Sequence, residues 1–146
     1  MAAASRIEDR FEPLSGVRRM KAFITAAEIV ALGASTTGEI SLWTVPQGAT
    51  ILSASVRNGG TSAATLTTLT ASLGINGSIT SILAAETVFL ANAIAITGVA
   101  VATEGIYAST AARAVVVAFE GNANLEGMTG GAPGGWIVEM AWIERM

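Results

Sequence analysis

The sequence predicts an all-β protein, a β-sandwich or jelly roll of about seven or eight strands with an extended N-terminal arm. Three observations carry that prediction. Apolar and polar residues alternate with a period of two through most of the chain after residue 22, as half-buried strands do. Turn sequences rich in Pro and Gly separate these runs at short intervals, the spacing of a sandwich. The composition, 51% hydrophobic but only 5% aromatic and 13% charged, describes an aliphatic core under a surface of Thr, Ser and Gly. At 146 residues the chain supports one domain with a real core, divided as an arm over 1–22 and a sandwich over 23–146.

The arm differs from the rest. It is charge-rich, is broken by Pro13 and Gly16, and spaces its apolar residues as Ile7, Phe11, Leu14, Val17 and Met20. Proline disfavours a helix through this segment. A disordered tail rarely carries five spaced large hydrophobes, so the alternative to a frayed terminus is an arm that anchors on another subunit. Residues 1–21 hold five cations against three acids, a local +2, while 22–146 hold three arginines against eight glutamates, a local −5.

The strands follow in order. Ile40 and Leu42 alternate with Glu39, Ser41 and Trp43, and the run ends in Val45-Pro46-Gln47-Gly48, a type I turn sequence. In Leu52–Arg57 the alternation puts Leu52, Ala54 and Val56 on the buried face, and Asn58-Gly59-Gly60 ends the strand. Over 67–75, Leu69, Ala71, Leu73 and Ile75 share one face, with Thr68, Thr70 and Ser72 opposite. Asn76-Gly77-Ser78 matches a glycosylation sequon but reads as a turn. In 78–90 the spacing of Ile79, Ile82, Leu83 and Glu86 is helical and Ser78 is a capping residue, predicting a short helix or turn. Ile94–Val101 is rich in β-branched residues, with a tight hairpin or a bulge at Thr97-Gly98. Arg113, Val115, Val117 and Phe119 form one face of a further strand. A glycine-rich connection over 121–135 leads to the last strand, where Trp136, Val138, Met140 and Trp142 share one face. Ile137, Ala141 and Ile143 make the other face apolar too, which predicts a central or covered strand.

The inventory of reactive groups is short. Cysteine and histidine are both absent, which excludes disulfides, thiolate or imidazole metal sites and any triad with an imidazole base. Ten glutamates, Asp9, Lys21, Tyr107 and hydroxyls remain. The glutamates are scattered singly, without the facing pair and aromatic platforms of a glycosidase. There is no acidic loop for calcium and no Walker or dinucleotide fingerprint. The expectation is therefore no catalysis, no cofactor and no metal. The acidic body repels phosphate backbones, so nucleic acid is not an expected partner. No uncharged run reads as a transmembrane helix, Met1–Ser5 leads into charges rather than an apolar signal region, and no membrane partner is expected. Trp43, Trp136 and Trp142, lying in strand patterns, read as core or interface residues rather than ligand platforms. The mean hydropathy of +0.57 exceeds what one small sandwich needs, and surplus apolar surface of this kind is commonly buried between subunits.

Two stretches carry a resemblance. Ile24-Thr25-Ala26-Ala27-Glu28-Ile29, with Ala31 through Ile51 (including Gly38-Glu39-Ile40-Ser41-Leu42-Trp43-Thr44-Val45-Pro46-Gln47-Gly48), and then Leu69-Thr70-Ala71-Ser72-Leu73-Gly74, resemble small virion structural proteins of tailed bacteriophages, most nearly head decoration (cement) proteins. The charged segment 1–22 departs from that pattern. The resemblance implies a non-enzymatic protein with a β-sandwich core. Such a protein is made in the host cytoplasm, sits as a homotrimer on the outer capsid surface and locks neighbouring major capsid proteins together. On that reading Ile7, Phe11, Leu14 and Val17 dock on the major capsid protein, and Arg10, Arg18 and Arg19 pair with its acidic residues. Deleting residues 1–20 is then expected to leave the sandwich folded and to abolish docking. A tail, fibre or host-recognition module, including a glycan-binding one, is the alternative.

Overall fold

In the computed structural model, which describes residues 2–4, 6–58, 68–75, 77–88, 94–97, 112–127 and 135–143, the alternating runs become the strands of two stacked sheets. One sheet orders β1 (Ala2–Ala3), β4 (Thr37–Val45), β9 (Arg113–Gly121), β6 (Leu69–Ile75) and β7 (Ser78–Thr87). The other orders β2 (Arg6–Glu12), β3 (Val17–Ile24), β10 (Trp136–Ile143), β5 (Thr50–Asn58) and β8 (Ile94–Thr97). All pairings are antiparallel except that of the two-residue β1 with β4. Among the described residues eight strands are seven residues or longer. The fold is the all-β sandwich that the alternation predicts.

The most regular alternations build the core. Trp136, Val138, Met140 and Trp142 of β10 point inward with Val115, Val117 and Phe119 of β9 and Leu69, Ala71 and Leu73 of β6. Phe119 meets Trp136 edge to face, with ring centroids 6.1 Å apart. Interior indole N–H groups find acceptors: Trp136 Nε1 donates to the Val88 carbonyl at 2.8 Å, and Trp43 Nε1 to Met140 Sδ at 3.1 Å. All three tryptophans belong to the core. β10 lies between β3 and β5, the central position that its two apolar faces require. The Pro46–Ala49 turn, closed by Ala49 N–H donating to Pro46 C=O at 3.2 Å, carries the chain from one sheet to the other, since β4 and β5 lie in different sheets.

Bulges explain where simple alternation misleads. β7 is a strand, not the expected short helix or turn over 78–90. Its pairing with β6 shifts register twice, three β7 residues matching two of β6 and then five matching two. The extra residues bring Ile82 and Leu83 inward together, so a strand acquires a helix-like spacing of apolar residues. Leu52, expected to be buried, is exposed and Ile51 takes the core position, because β5 carries one extra residue opposite Ala141–Trp142 of β10. A similar irregularity in β4 buries both Leu42 and Trp43. A five-residue helix, α1 (Ala26–Val30), stands where the alternation suggests only strands. It is opened by a reciprocal capping box between Thr25 and Glu28.

The segment 1–22 is not an arm hung outside the domain. Its β2 and β3 form an antiparallel hairpin, and β3 is zipped to β10 along its whole length, Val17 opposite Ile143 and Ile24 opposite Trp136. The boundary at residue 22 therefore falls inside a core strand. Pro13 and Gly16, which look like breaks in the sequence, are the hairpin turn: Gly16 has φ +72° and donates its N–H to Glu12 C=O at 2.9 Å. The expected features at Gly59-Gly60, Asn76, Thr97-Gly98 and residues 128–134 of the 121–135 connection fall wholly or partly outside the described residues.

Gly135, which leads into β10, tests the fit of this central strand. It has φ +57°, and a Cβ there would collide with the Ile24 carbonyl oxygen and lie 3.3 Å from Thr25 Cα. Neither backbone group can step aside without moving β3. Gly135→Ala is expected to lower stability by about 2–4 kcal/mol, read as a lower urea midpoint at unchanged slope.

A candidate docking hairpin

The β2–β3 hairpin stands out from the sandwich. β2 is the end strand of its sheet and packs chiefly on β3. Its register puts Ile7, Asp9 and Phe11 opposite Ala22, Met20 and Arg18, on the sheet's inner face. Ala22 and Met20 are buried in the core, but their β2 neighbours are not: Ile7 is 38% and Phe11 40% exposed, and Leu14 at the turn is fully exposed. Of six exposed large hydrophobics among the described residues, these three belong to the hairpin. The inner face of the sheet thus continues past the edge of the core as an uncovered apolar strip, Ile7 and Phe11, interrupted by Asp9.

Charged groups lock the hairpin. Arg18 Nη1 donates to both Asp9 carboxylate oxygens, at 2.7 and 2.8 Å, and its guanidinium lies over the Phe11 ring at 4.9 Å. Arg19 Nε donates to Glu12 Oε1 at 3.0 Å, and chiefly this hydrogen bond holds the Glu12 carboxyl below its ordinary range. On the outer face the Arg6 guanidinium lies over Phe23 at 4.1 Å, and Glu139 of β10 meets Arg57 at 2.9 Å and Lys21 at 3.9 Å. Glu8, Arg10, Arg19, Lys21, Ser53 and Glu139 line a shallow groove of 260 Å³ on that face.

The structure sorts the seven residues expected to dock. Ile7, Phe11 and Leu14 project from the hairpin, and Arg10 lies on the outer face beside the groove. Val17 does not project: it is buried, held between Glu12 of β2 and Ile143 of β10. Arg18 and Arg19, expected to reach acidic residues of a partner, are tied within the hairpin to Asp9 and Glu12. The turn itself, Pro13–Gly16, is what gives Leu14 its prominence, and the sequence marks it only as a break.

The opposite sheet carries a second groove, of 350 Å³, lined by Thr37, Glu39, Thr70, Ser72, Ile79 and Glu120 among others. Glu39 Oε1 is buried there without a hydrogen-bond partner among the described residues. Hydroxyls and two carboxylates there suit polar groups, and the described lining holds no imidazole, thiol or amine. Phe119, the one aromatic among its described lining residues, is buried in the core. Among the described residues no group of acidic side chains is arranged to hold a metal ion, and no helix is long and apolar enough to cross a membrane. Comparison of the chain with protein-family models, with curated proteins and with solved structures gives no match.

Proposed function

We propose that this protein is a non-enzymatic structural component of a tailed-bacteriophage virion, a head decoration protein that binds the major capsid protein on the outer lattice and stabilises it. One observation carries the docking part of this reading. The exposed apolar residues Ile7, Phe11 and Leu14 are gathered on a hairpin braced by its own ion pairs and cation–π contacts. Preorganised apolar anchors of this kind bind without a large ordering cost. On a lattice, several such weak contacts act together, and avidity multiplies their effect. The phage assignment itself is supported by the sequence resemblance over 24–51 and 69–74.

The test is co-sedimentation with expanded capsid shells. The wild-type protein is expected to pellet with shells, and the Phe11→Ser/Leu14→Ser variant to bind about tenfold or more weakly with an unfolding midpoint lowered by only a few degrees, since Leu14 is fully exposed and Phe11 packs at the sheet edge, chiefly under Arg18. A wild-type chain that ignores shells rejects the decoration reading. A variant that binds undiminished rejects the hairpin as the docking element. The glycan-binding alternative has less support, because the polar groove on the other sheet lacks an exposed aromatic platform among the described residues.

A further inference from the structure

Strand β2 closes its sheet on one side, and its sequence, Arg6-Ile7-Glu8-Asp9-Arg10-Phe11-Glu12, is complementary to itself when reversed. We infer that β2 of one copy pairs antiparallel with β2 of a second copy about a two-fold axis at Asp9, joining two five-stranded sheets into one of ten strands.

The main chain sets this register. Glu12 C=O accepts from Gly16 inside the hairpin turn, so Glu12 and, by alternation, Arg10, Glu8 and Arg6 turn their peptide groups toward β3. Ile7, Asp9 and Phe11 then turn theirs toward the outer edge, where no described strand pairs with β2. Pairing about Asp9 places Asp9 opposite Asp9 and Ile7 opposite Phe11 as hydrogen-bonded pairs, so every outward peptide group of the strand finds a partner. β2 pairs with β3 without a register shift and contains no proline between Arg6 and Glu12. Two of the devices that normally blunt an edge strand are therefore missing.

The side chains agree with that register on both faces. On the outer face the charges read plus, minus, plus, minus, and reversal sets Arg6 against Glu12 and Glu8 against Arg10, each twice across the axis. Charges on an edge usually repel another strand, but an alternating row of even length attracts its own copy. On the inner face Ile7 of each copy lies against Phe11 of the other, covering apolar surface left open in the single chain. The one like-charged contact, Asp9 against Asp9, is offset because each carboxylate is gripped by its own Arg18. The paired strands would merge the two apolar strips into one. The inference rests on β2 itself and not on the capsid reading.

Sedimentation velocity of the full chain across micromolar concentrations, without shells, tests it. A two-chain species is expected where the phage resemblance implies three. Arg10→Glu sets glutamates against each other twice across the axis and is expected to weaken the dimer roughly tenfold or more. Glu8→Arg does the same with arginines. Mixing the two single variants restores complementarity in the mixed pair alone, so the mixture is expected to regain a dimer containing one of each. The double variant Glu8→Arg/Arg10→Glu is expected to dimerise with itself, with far-ultraviolet circular dichroism confirming that each variant folds. A monomer at every concentration, a trimer, or a dimer indifferent to Arg10→Glu and to mixing overturns the pairing. Loss of shell binding with the dimer intact bears on the docking proposal only.

Discussion

A chain lacking residues 1–20 will not fold as the sandwich. The cut removes β2, but it also removes Val17, Arg18, Arg19 and Met20, half of a strand that pairs with β10 from end to end. Val17 and Met20 are buried, and losing each costs about 1.5–3 kcal/mol of burial. Four positions of the β10 ladder lose their partners as well, and Met140 and Trp142, opposite Met20 and Arg18, lose cover. Against a total stability of about 5–15 kcal/mol, that loss is a large share. The expected result is a chain without a sharp thermal transition, with weak near-ultraviolet dichroism from its tryptophans and with dye-binding apolar surface. Removing residues 1–12 instead takes away the exposed β2 and the two-residue β1 and leaves the turn and all of β3. That shorter truncation is expected to keep a cooperative transition and to lose both shell docking and self-pairing. A 1–20 deletion that unfolds cooperatively at the wild-type midpoint would restore the picture of a dispensable arm.

The contrast between the two cuts reflects what was legible in the sequence. β6, β9 and β10 could be read residue by residue because Leu69/Ala71/Leu73, Val115/Val117/Phe119 and Trp136/Val138/Met140/Trp142 keep an unbroken period of two. β7 and the start of β5 could not. Their bulges belong to a pair of strands, and neither Ser78–Thr87 nor Leu52 alone reveals that its partner has fewer residues. Helix α1 did carry a local signal, the Thr25-x-x-Glu28 box, hidden by its brevity within alternating flanks. In the hairpin, Met20, Ala22 and Ile24 alternate as a core strand should, but the surrounding charges and the Pro13/Gly16 break suggested a tail. Composition marks the proposed docking residues only as apolar groups in a charged segment. Only the register of β2 on β3 separates those that project (Ile7, Phe11, Leu14) from Val17, which is buried, and from Arg18 and Arg19, which serve the hairpin itself.

Replacing Trp136 by alanine will destabilise the sandwich by about 3–5 kcal/mol. Trp136 is fully buried at the start of β10, with Ile24 of β3 on one side and Asn58 of β5 on the other. The substitution opens a cavity in a layer that includes Phe119. It also removes the indole N–H that donates to the Val88 carbonyl, a hydrogen bond that contributes about 0.5–1.5 kcal/mol. Trp136→Phe separates the two effects, since it keeps most of the ring volume and loses only the donor. Its smaller loss, subtracted from that of the alanine variant, measures the cavity. At roughly 2–4 °C per kcal/mol for a chain of this size, the alanine variant should melt about 6–20 °C below wild type, with Trp43 and Trp142 reporting the transition. Below that temperature its hairpin is unchanged, so binding to capsid shells and self-pairing should persist. The Phe11→Ser/Leu14→Ser variant should do the reverse, staying within a few degrees of the wild-type melting point and losing the shells. Crossing of these two outcomes, with a folded Trp136→Ala chain that no longer binds, would move the docking surface from the hairpin to the sheet around β10.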